Sequence, residues 1–299
     1  MTVRFDNQVV IVTGAGTGMG RAHALLLADR GAAVVVNDIR GAADVASEIT
    51  AGGGHAVADT NDIAEPAGAS ALVQTALDSF GGLHGIVNNA GISIHAELLD
   101  ITPELLDRTM RVNAYGPLFI AQVAWPHLQK SNGRIVMISS MAAVSGSAHL
   151  AHYASSKGAL LAMTRALAAE GANAGIGVNA VLPTAFTSMM RDTDGVAGAA
   201  RLRVRNMMAE DLSLDFSDDE GLESQSTAIV SSLVAWLLHP DCTAQGEFFR
   251  ASTRWTRRAT YVMSEGIISK GLTPEDIRDN FARINDMSVT ETPPTSLTV

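Results

Sequence analysis

Tyr153 and Lys157 stand four residues apart in the segment Tyr153-Ala154-Ser155-Ser156-Lys157. On a helix that spacing puts both side chains on one face, about 6 Å apart along the axis. A phenol ordinarily titrates near pH ~10, too high to exchange protons readily at neutral pH. An ammonium held beside it favours the phenolate and draws that value toward the working range. Such a pair can pass a proton to or from a substrate oxygen. The same spacing also occurs on exposed helices that do no chemistry, so the assignment rests on what the chain places around it.

Upstream lies the run Arg134-Ile135-Val136-Met137-Ile138, a buried strand with Ser139 and Ser140 at its carboxyl end. In open α/β sheets that is where ligands bind. One of these hydroxyls can face a substrate, while the other satisfies local backbone, a common role for serine at a strand end.

The chain opens with a phosphate cradle. Val9-Val10-Ile11-Val12 is β-branched and uniformly apolar, as expected of a parallel strand covered on both faces. It runs into Thr13-Gly14-Ala15-Gly16-Thr17-Gly18-Met19-Gly20 and then into a helix-forming segment, Arg21 to Ala28. Glycines let backbone approach a pyrophosphate, and the helix N-terminus offers free N–H groups and a positive dipole end. The spacing is GxxxGxG, and a glycine-rich turn can also be only a tight turn. A second apolar run, Ala33-Val34-Val35-Val36-Asn37, ends on Asp38. An acid there accepts hydrogen bonds from ribose hydroxyls and repels a 2′-phosphate, which favours NAD over NADP. Arg40 nearby is the feature that would suit NADP instead.

The rhythm repeats. His55 to Ala58 is a short strand ending at Asp59-Thr60, Ala69 to Phe80 reads as a helix, and Ile86-Val87 leads into Asn88-Asn89-Ala90-Gly91. Strands and helices alternating at this pace indicate a doubly wound parallel sheet. Residues 105 to 125 read as one long helix containing Asn113, a mediocre helix former that can mark a bend or a satisfied core amide.

Together TGxxxGxG, Asp38, NNAG and YxxxK resemble the short-chain dehydrogenase/reductase family over roughly residues 6 to 250. The resemblance implies an α/β single-domain Rossmann fold with a seven-stranded parallel sheet and helices on both faces, assembled as a homotetramer or dimer. It also implies NAD as cofactor and a secondary alcohol or ketone as substrate. By the same resemblance the catalytic set is Asn113, Ser140, Tyr153 and Lys157, with Ser140 thirteen residues before Tyr153 as in the family. Asn113 would hold a water linked to Lys157. Ser140 would fix the substrate oxygen, and Lys157 would touch the nicotinamide ribose. Cofactor contacts carry over to Gly14, Thr17, Gly18, Met19, Asp38, Asp59, Thr60, Asn89, Ala90, Gly91 and Phe186. The family's Pro-Gly after the sixth strand is Pro183-Thr184 here. Val34 to Asp38, Trp236 to His239 and Gly246 to Trp255 are further similar to the 3-hydroxyacyl-CoA dehydrogenase part of peroxisomal multifunctional enzymes of type 2.

Composition narrows the alternatives. Of 299 residues 47% are hydrophobic, enough for a sizeable core, and the net charge of −10 argues against a general nucleic-acid binder. A single cysteine, Cys242, allows no internal disulfide and no cysteine-based zinc site. No secretory pattern or membrane-spanning run is visible, so a cytoplasmic protein is expected. Residues 187–226 read as a substrate lid, with six acids and no base between Asp211 and Glu223. Residues 251–299 read as a C-terminal extension, packed on the catalytic domain of residues 1–250 or on a neighbouring subunit. Arg250, Arg254, Arg257 and Arg258 gather there around Trp255. His149 and His152 flank the tyrosine, but no acid or nucleophile stands at a spacing that would make either a base. A dinucleotide-binding redox sensor without turnover is the rival from another class.

Overall fold

The computed structural model describes residues 2–184, 219–252, 255–268 and 271–292. Its strands are β1 (Val9–Thr13), β2 (Ala33–Asn37), β3 (His55–Asp59), β4 (Gly85–Asn88), β5 (Arg134–Ile138), β6 (Gly177–Pro183), β7 (Phe248–Ala251) and β8 (Thr256–Ala259). They form one sheet in the order β3-β2-β1-β4-β5-β6-β7-β8. The first seven pair in parallel, and β8 closes the edge antiparallel to β7. The seven parallel strands match the expectation. The eighth was not anticipated, because Thr256-Arg257-Arg258-Ala259 carries no apolar alternation.

Helices cover both faces. One layer holds α1 (Gly18–Asp29), α2 (Ala42–Ala51) and α8 (Asp219–Leu238); the other holds α3 (Pro66–Phe80), α5 (Gly116–Ser131) and α7 (Ala151–Ala172). Val10 and Val12 pack into the first layer, Val9 and Ile11 into the second. Burial on both sides is why these strands are continuously apolar rather than alternating. Shorter helices are α4 (Pro103–Met110), α6 (Ala142–Ser145), α9 (Pro274–Asp279) and α10 (Phe281–Ile284). Among the described residues no helix is long and apolar enough to cross a membrane.

The helix expected over residues 105 to 125 is broken. Residues Arg111–Tyr115 form a π-helical turn between α4 and α5, with Asn113 buried at its centre. One extra residue in the turn rotates the side chains that follow, and such insertions recur at functional sites. The last parallel strand begins at Phe248.

Beyond β8 the chain forms a two-stranded ribbon, β9 (Met263–Ser264) with β10 (Thr290–Glu291), enclosing α9 and α10. Thr273 and Asp276 close a capping box at the start of α9, with Pro274 at its first position. Ile268, Leu272, Phe281, Met287 and Val289 lie exposed along this arm.

Candidate active site

The order of strands reverses between β1 and β4, and ligands in such sheets bind at the carboxyl edge beside that reversal. The glycine turn after β1 and the loop after β4 are laced together there. Thr13 Oγ1 accepts from the backbone N–H of Asn89 at 3.1 Å and of Ala90 at 3.0 Å. Asn89 Nδ2 in return donates to the carbonyls of Thr13 at 2.9 Å and Gly14 at 3.1 Å. Gly14 has φ +62°, and a Cβ on it would stand 2.7 Å from Ala90 Cα, so only glycine fits. Asn89 thus acts on the loop itself, and Thr13 is a structural partner that the sequence did not single out.

At the start of α1, Thr17 caps the helix by backbone shape alone, with no side-chain hydrogen bond to the first-turn N–H groups. Gly18, at φ +55°, has open space where a Cβ would go. Bare N–H groups facing open space at a helix N-terminus fit the pyrophosphate of a dinucleotide. Met19 beside them is half-buried.

Asp38 sits at the end of β2 and turns back over the cradle. Its carboxylate accepts from Gly16 N at 3.0 Å and from Arg40 N at 3.1 Å. One end of the acid is therefore an anchor for the glycine turn. Asp59, expected to contact adenine, is also held by its own chain. It is buried and accepts four hydrogen bonds, from Asn37 Nδ2, Asn61 N, Asn61 Nδ2 and Thr75 Oγ1. Four donors fill the lone pairs of a carboxylate, so the side chain braces β2, β3 and α3. Thr60, next in sequence, is exposed.

The second cluster lies across the same edge. Ser139 is buried and its hydroxyl donates to the carbonyl of Lys157 at 2.7 Å. Ser140 instead lies near enough to the Tyr153 phenol to favour its phenolate, and its hydroxyl oxygen accepts from Ala142 N at 3.2 Å. Lys157 is buried; its Nζ donates to the Ile138 carbonyl at 2.9 Å and stands 6.0 Å from the Tyr153 ring centre. A Cβ on Gly91 would lie 3.1 Å from that Nζ and 3.3 Å from Asn113 Oδ1, so Gly91 is the gap between the two clusters.

Asn113 is fully buried and clamps both sides. Its Oδ1 accepts from Ile92 N at 2.8 Å, and its Nδ2 donates to Ile92 O at 2.9 Å and to Ser156 Oγ at 3.0 Å. Ser156 passes the link on to the Tyr153 carbonyl at 2.7 Å. The side chain thereby ties the loop after β4 to α7, one turn from the tyrosine. Its two amide hydrogens are both engaged, which leaves only acceptor capacity for a water.

Electrostatics depart from the expectation in one respect. Burial raises the Tyr153 phenol above its ordinary value, and the Ser140 hydrogen bond opposes that only in part. Burial also lowers the Lys157 ammonium from 10.5 to about 8. The lysine is anchored on Ile138 rather than on the phenol oxygen, so the chain alone does not draw the tyrosine down. His149 adopts φ +63° and its carbonyl accepts from Ala96 N. His152 is buried, and neither ring nitrogen meets a hydrogen-bond partner. Phe186, and the part of the expected lid from Thr187 to residue 218, lie outside the described residues.

A Rossmann sheet with these two clusters on its carboxyl edge defines a dinucleotide-dependent oxidoreductase, and the family model "short chain dehydrogenase" matches residues 8–196. The chain belongs to that family, whose members bind a nicotinamide dinucleotide. It is 37% identical over 296 residues to peroxisomal multifunctional enzyme A of Dictyostelium discoideum, covering 95% of this chain and 61% of that protein. It is 36% identical to peroxisomal multifunctional enzyme type 2 of Mus musculus, covering 98% of this chain and 38% of the other. The chain thus spans only part of the length of these curated relatives. Among solved structures, a short chain dehydrogenase from Mycobacterium avium superposes with a TM-score of 0.76 at 32% identity, covering 95% of both chains.

Proposed function

We propose that the chain transfers a hydride between NAD and a secondary alcohol or ketone of apolar character, with Tyr153 as general acid and base. The observation that carries this reading is the placing of Tyr153 one helical turn before a buried Lys157, whose Nζ stands 6.0 Å from the phenol ring centre, with Ser140 beside the phenol. Two hydroxyls converging at the carboxyl edge define a place for one substrate oxygen. Bound NAD supplies the hydride acceptor and a positively charged ring. Ser140 orients the substrate oxygen, Tyr153 takes or returns its proton, and Lys157, held by the Ile138 carbonyl, presents a positive charge beneath the phenol. Asn113 keeps the loop after β4 at the distance from α7 that this arrangement requires. Asp38 supports NAD rather than NADP, since its position at the end of β2 disfavours a 2′-phosphate.

Assembly belongs to the same reading. Residues 251–299 were expected to pack on their own domain or on a neighbouring subunit. The exposed apolar side chains of the arm favour a neighbouring subunit, hence a homodimer or homotetramer.

The test is to follow NADH absorbance while the protein is mixed with NAD and a panel of secondary alcohols, beside Tyr153→Phe. Turnover that falls about 100- to 10,000-fold in the variant is expected. NAD binding with no turnover on any alcohol would instead make the chain a redox sensor, and an undiminished variant would remove Tyr153 from the chemistry.

A further inference from the structure

Tyr153 is the third residue of α7, so its peptide lies in the first turn of that helix. Helix ends fray unless something holds their unpaired backbone groups. Here Leu150, at the cap position, offers no side-chain hydrogen bond, and no acid occupies the first turn. The phenol and the Lys157 ammonium one turn on must nevertheless keep a fixed place, since a misplacement of about 1 Å can cost on the order of 100-fold in rate.

Ser156 supplies a hold from inside the helix. It is fully buried, and its hydroxyl donates to the Tyr153 carbonyl at 2.7 Å. In a helix that carbonyl is also the acceptor for the Lys157 N–H, so one oxygen joins all three residues. Helical serines and threonines commonly bond a carbonyl one turn back. Within α7, Ser155 does so on Ala151 at 2.8 Å and Thr164 on Leu160 at 2.7 Å. What sets Ser156 apart is that its oxygen also accepts from Asn113 Nδ2 at 3.0 Å. The direction is forced. A hydroxyl has one hydrogen, and that of Ser156 goes to Tyr153, so toward Asn113 it can only accept. Asn113 is turned to match: its Oδ1 takes the Ile92 N–H, and its Nδ2 also donates to the Ile92 carbonyl.

The chain of bonds runs on to the cofactor side. Ile92 ends the segment Asn89-Ala90-Gly91-Ile92, whose first two N–H groups are held by Thr13 Oγ1 at the glycine turn. From Thr13 to the Tyr153 carbonyl, every non-covalent link is thus a hydrogen bond of 2.7 to 3.1 Å. Ser156 is the link that reaches α7.

We propose that Ser156 is a positioning residue for the Tyr153–Lys157 pair, registering the first turn of α7 against the dinucleotide cradle through Asn113. It acts through the Tyr153 peptide and not on the reacting atoms. The kinetic consequence rests on the dehydrogenase reading, whereas the structural one does not.

The experiment compares the whole chain with Ser156→Ala and with Ser155→Ala, a control that loses a similar back-bond on the exposed side of the same turn. Hydrogen exchange, read by mass spectrometry over residues 150–158, needs no turnover. It should run about tenfold or more faster in Ser156→Ala, with the strands unchanged, and at the wild-type rate in Ser155→Ala. With NAD and a secondary alcohol, Ser156→Ala should lower kcat about tenfold or more, while KM for NAD stays within about twofold because the cradle is intact. Ser156→Thr keeps the hydroxyl and should recover most of both. If its extra methyl prevents folding by circular dichroism, Ser156→Cys takes its place, with a weaker donor and a smaller recovery. Unchanged exchange over residues 150–158 overturns the proposal, and so does faster exchange with an unchanged kcat. Exchange that quickens throughout the molecule, with KM for NAD rising as kcat falls, also overturns it, because that marks a serine needed only for folding. A wild type that turns over no alcohol sinks the dehydrogenase reading instead. The exchange comparison then still decides whether Ser156 holds the turn.

Discussion

Lys157 bears a charge in a place that disfavours it, and the consequence can be read as a pH dependence. Its value falls from 10.5 to about 8 on folding because burial penalises the ammonium. Between those two values the unfolded chain holds the proton and the folded lysine does not, so stability rises with pH across that window. Below about 8 both states are protonated and the whole penalty stands. Lys157→Met removes it, at the loss of activity. The variant without cofactor should therefore melt above the wild type near neutral pH, by at most on the order of 3 kcal/mol. Its advantage should shrink as pH climbs from about 8 toward 10.5; a constant gap in thermal melts would contradict this. Asp38 makes a second residue-scale prediction. Asp38→Ala removes the repulsion of a 2′-phosphate and also releases Gly16 N. The ratio of kcat/KM for NAD over NADP should fall about tenfold or more, with KM rising for both cofactors. An unchanged ratio would take Asp38 out of the ribose site. What was legible here was residue type and position along the chain. The surroundings of each carboxylate were not legible: Asp38 and Asp59 both end strands, and only the fold shows Asp59 ringed by Asn37, Asn61 and Thr75.

Among the elements, the π-helical turn between α4 and α5 has the clearest energetic signature. Asn113 satisfies both backbone groups of Ile92 and one hydroxyl, Ser156, in a site without solvent. Asn113→Ala leaves those groups unpaired, each at roughly 1–3 kcal/mol, so a loss of about 3 kcal/mol or more is expected in urea titration. Activity should fall with it, since the Tyr153 carbonyl hangs from the same chain of bonds. A fully stable variant would show that Ile92 has other partners. The turn could not be foreseen, because α and π turns are built from the same residue types and differ only in where the next helix faces. The strands were foreseen, since β-branched runs buried on two sides leave an unmistakable pattern. The clamp of Thr13 on the loop after β4 was not, as its partners are backbone groups 76 and 77 residues away.

For the molecule as a whole, the arm beyond β8 is the feature that its own domain does not account for. Met263, Ile268, Phe281 and Val289 stay in solvent, and an isolated two-stranded ribbon is marginal in water. Removal of residues 261–299 should convert a dimer or tetramer into monomer by sedimentation velocity. A monomeric full chain, or an assembly indifferent to the truncation, would count against the arm as a subunit contact.

The antiparallel β8 limits how such an assembly can be made. A parallel sheet that stopped at β7 would present an open rim of backbone N–H and C=O groups, ready to be prolonged by the same strand of another molecule. Here the outermost strand reads Thr-Arg-Arg-Ala, with Arg257 and Arg258 both exposed. Two such rims brought side by side would set like charges against each other. An assembly that extended this sheet from one copy to the next is therefore disfavoured, and a subunit contact would have to use other surfaces.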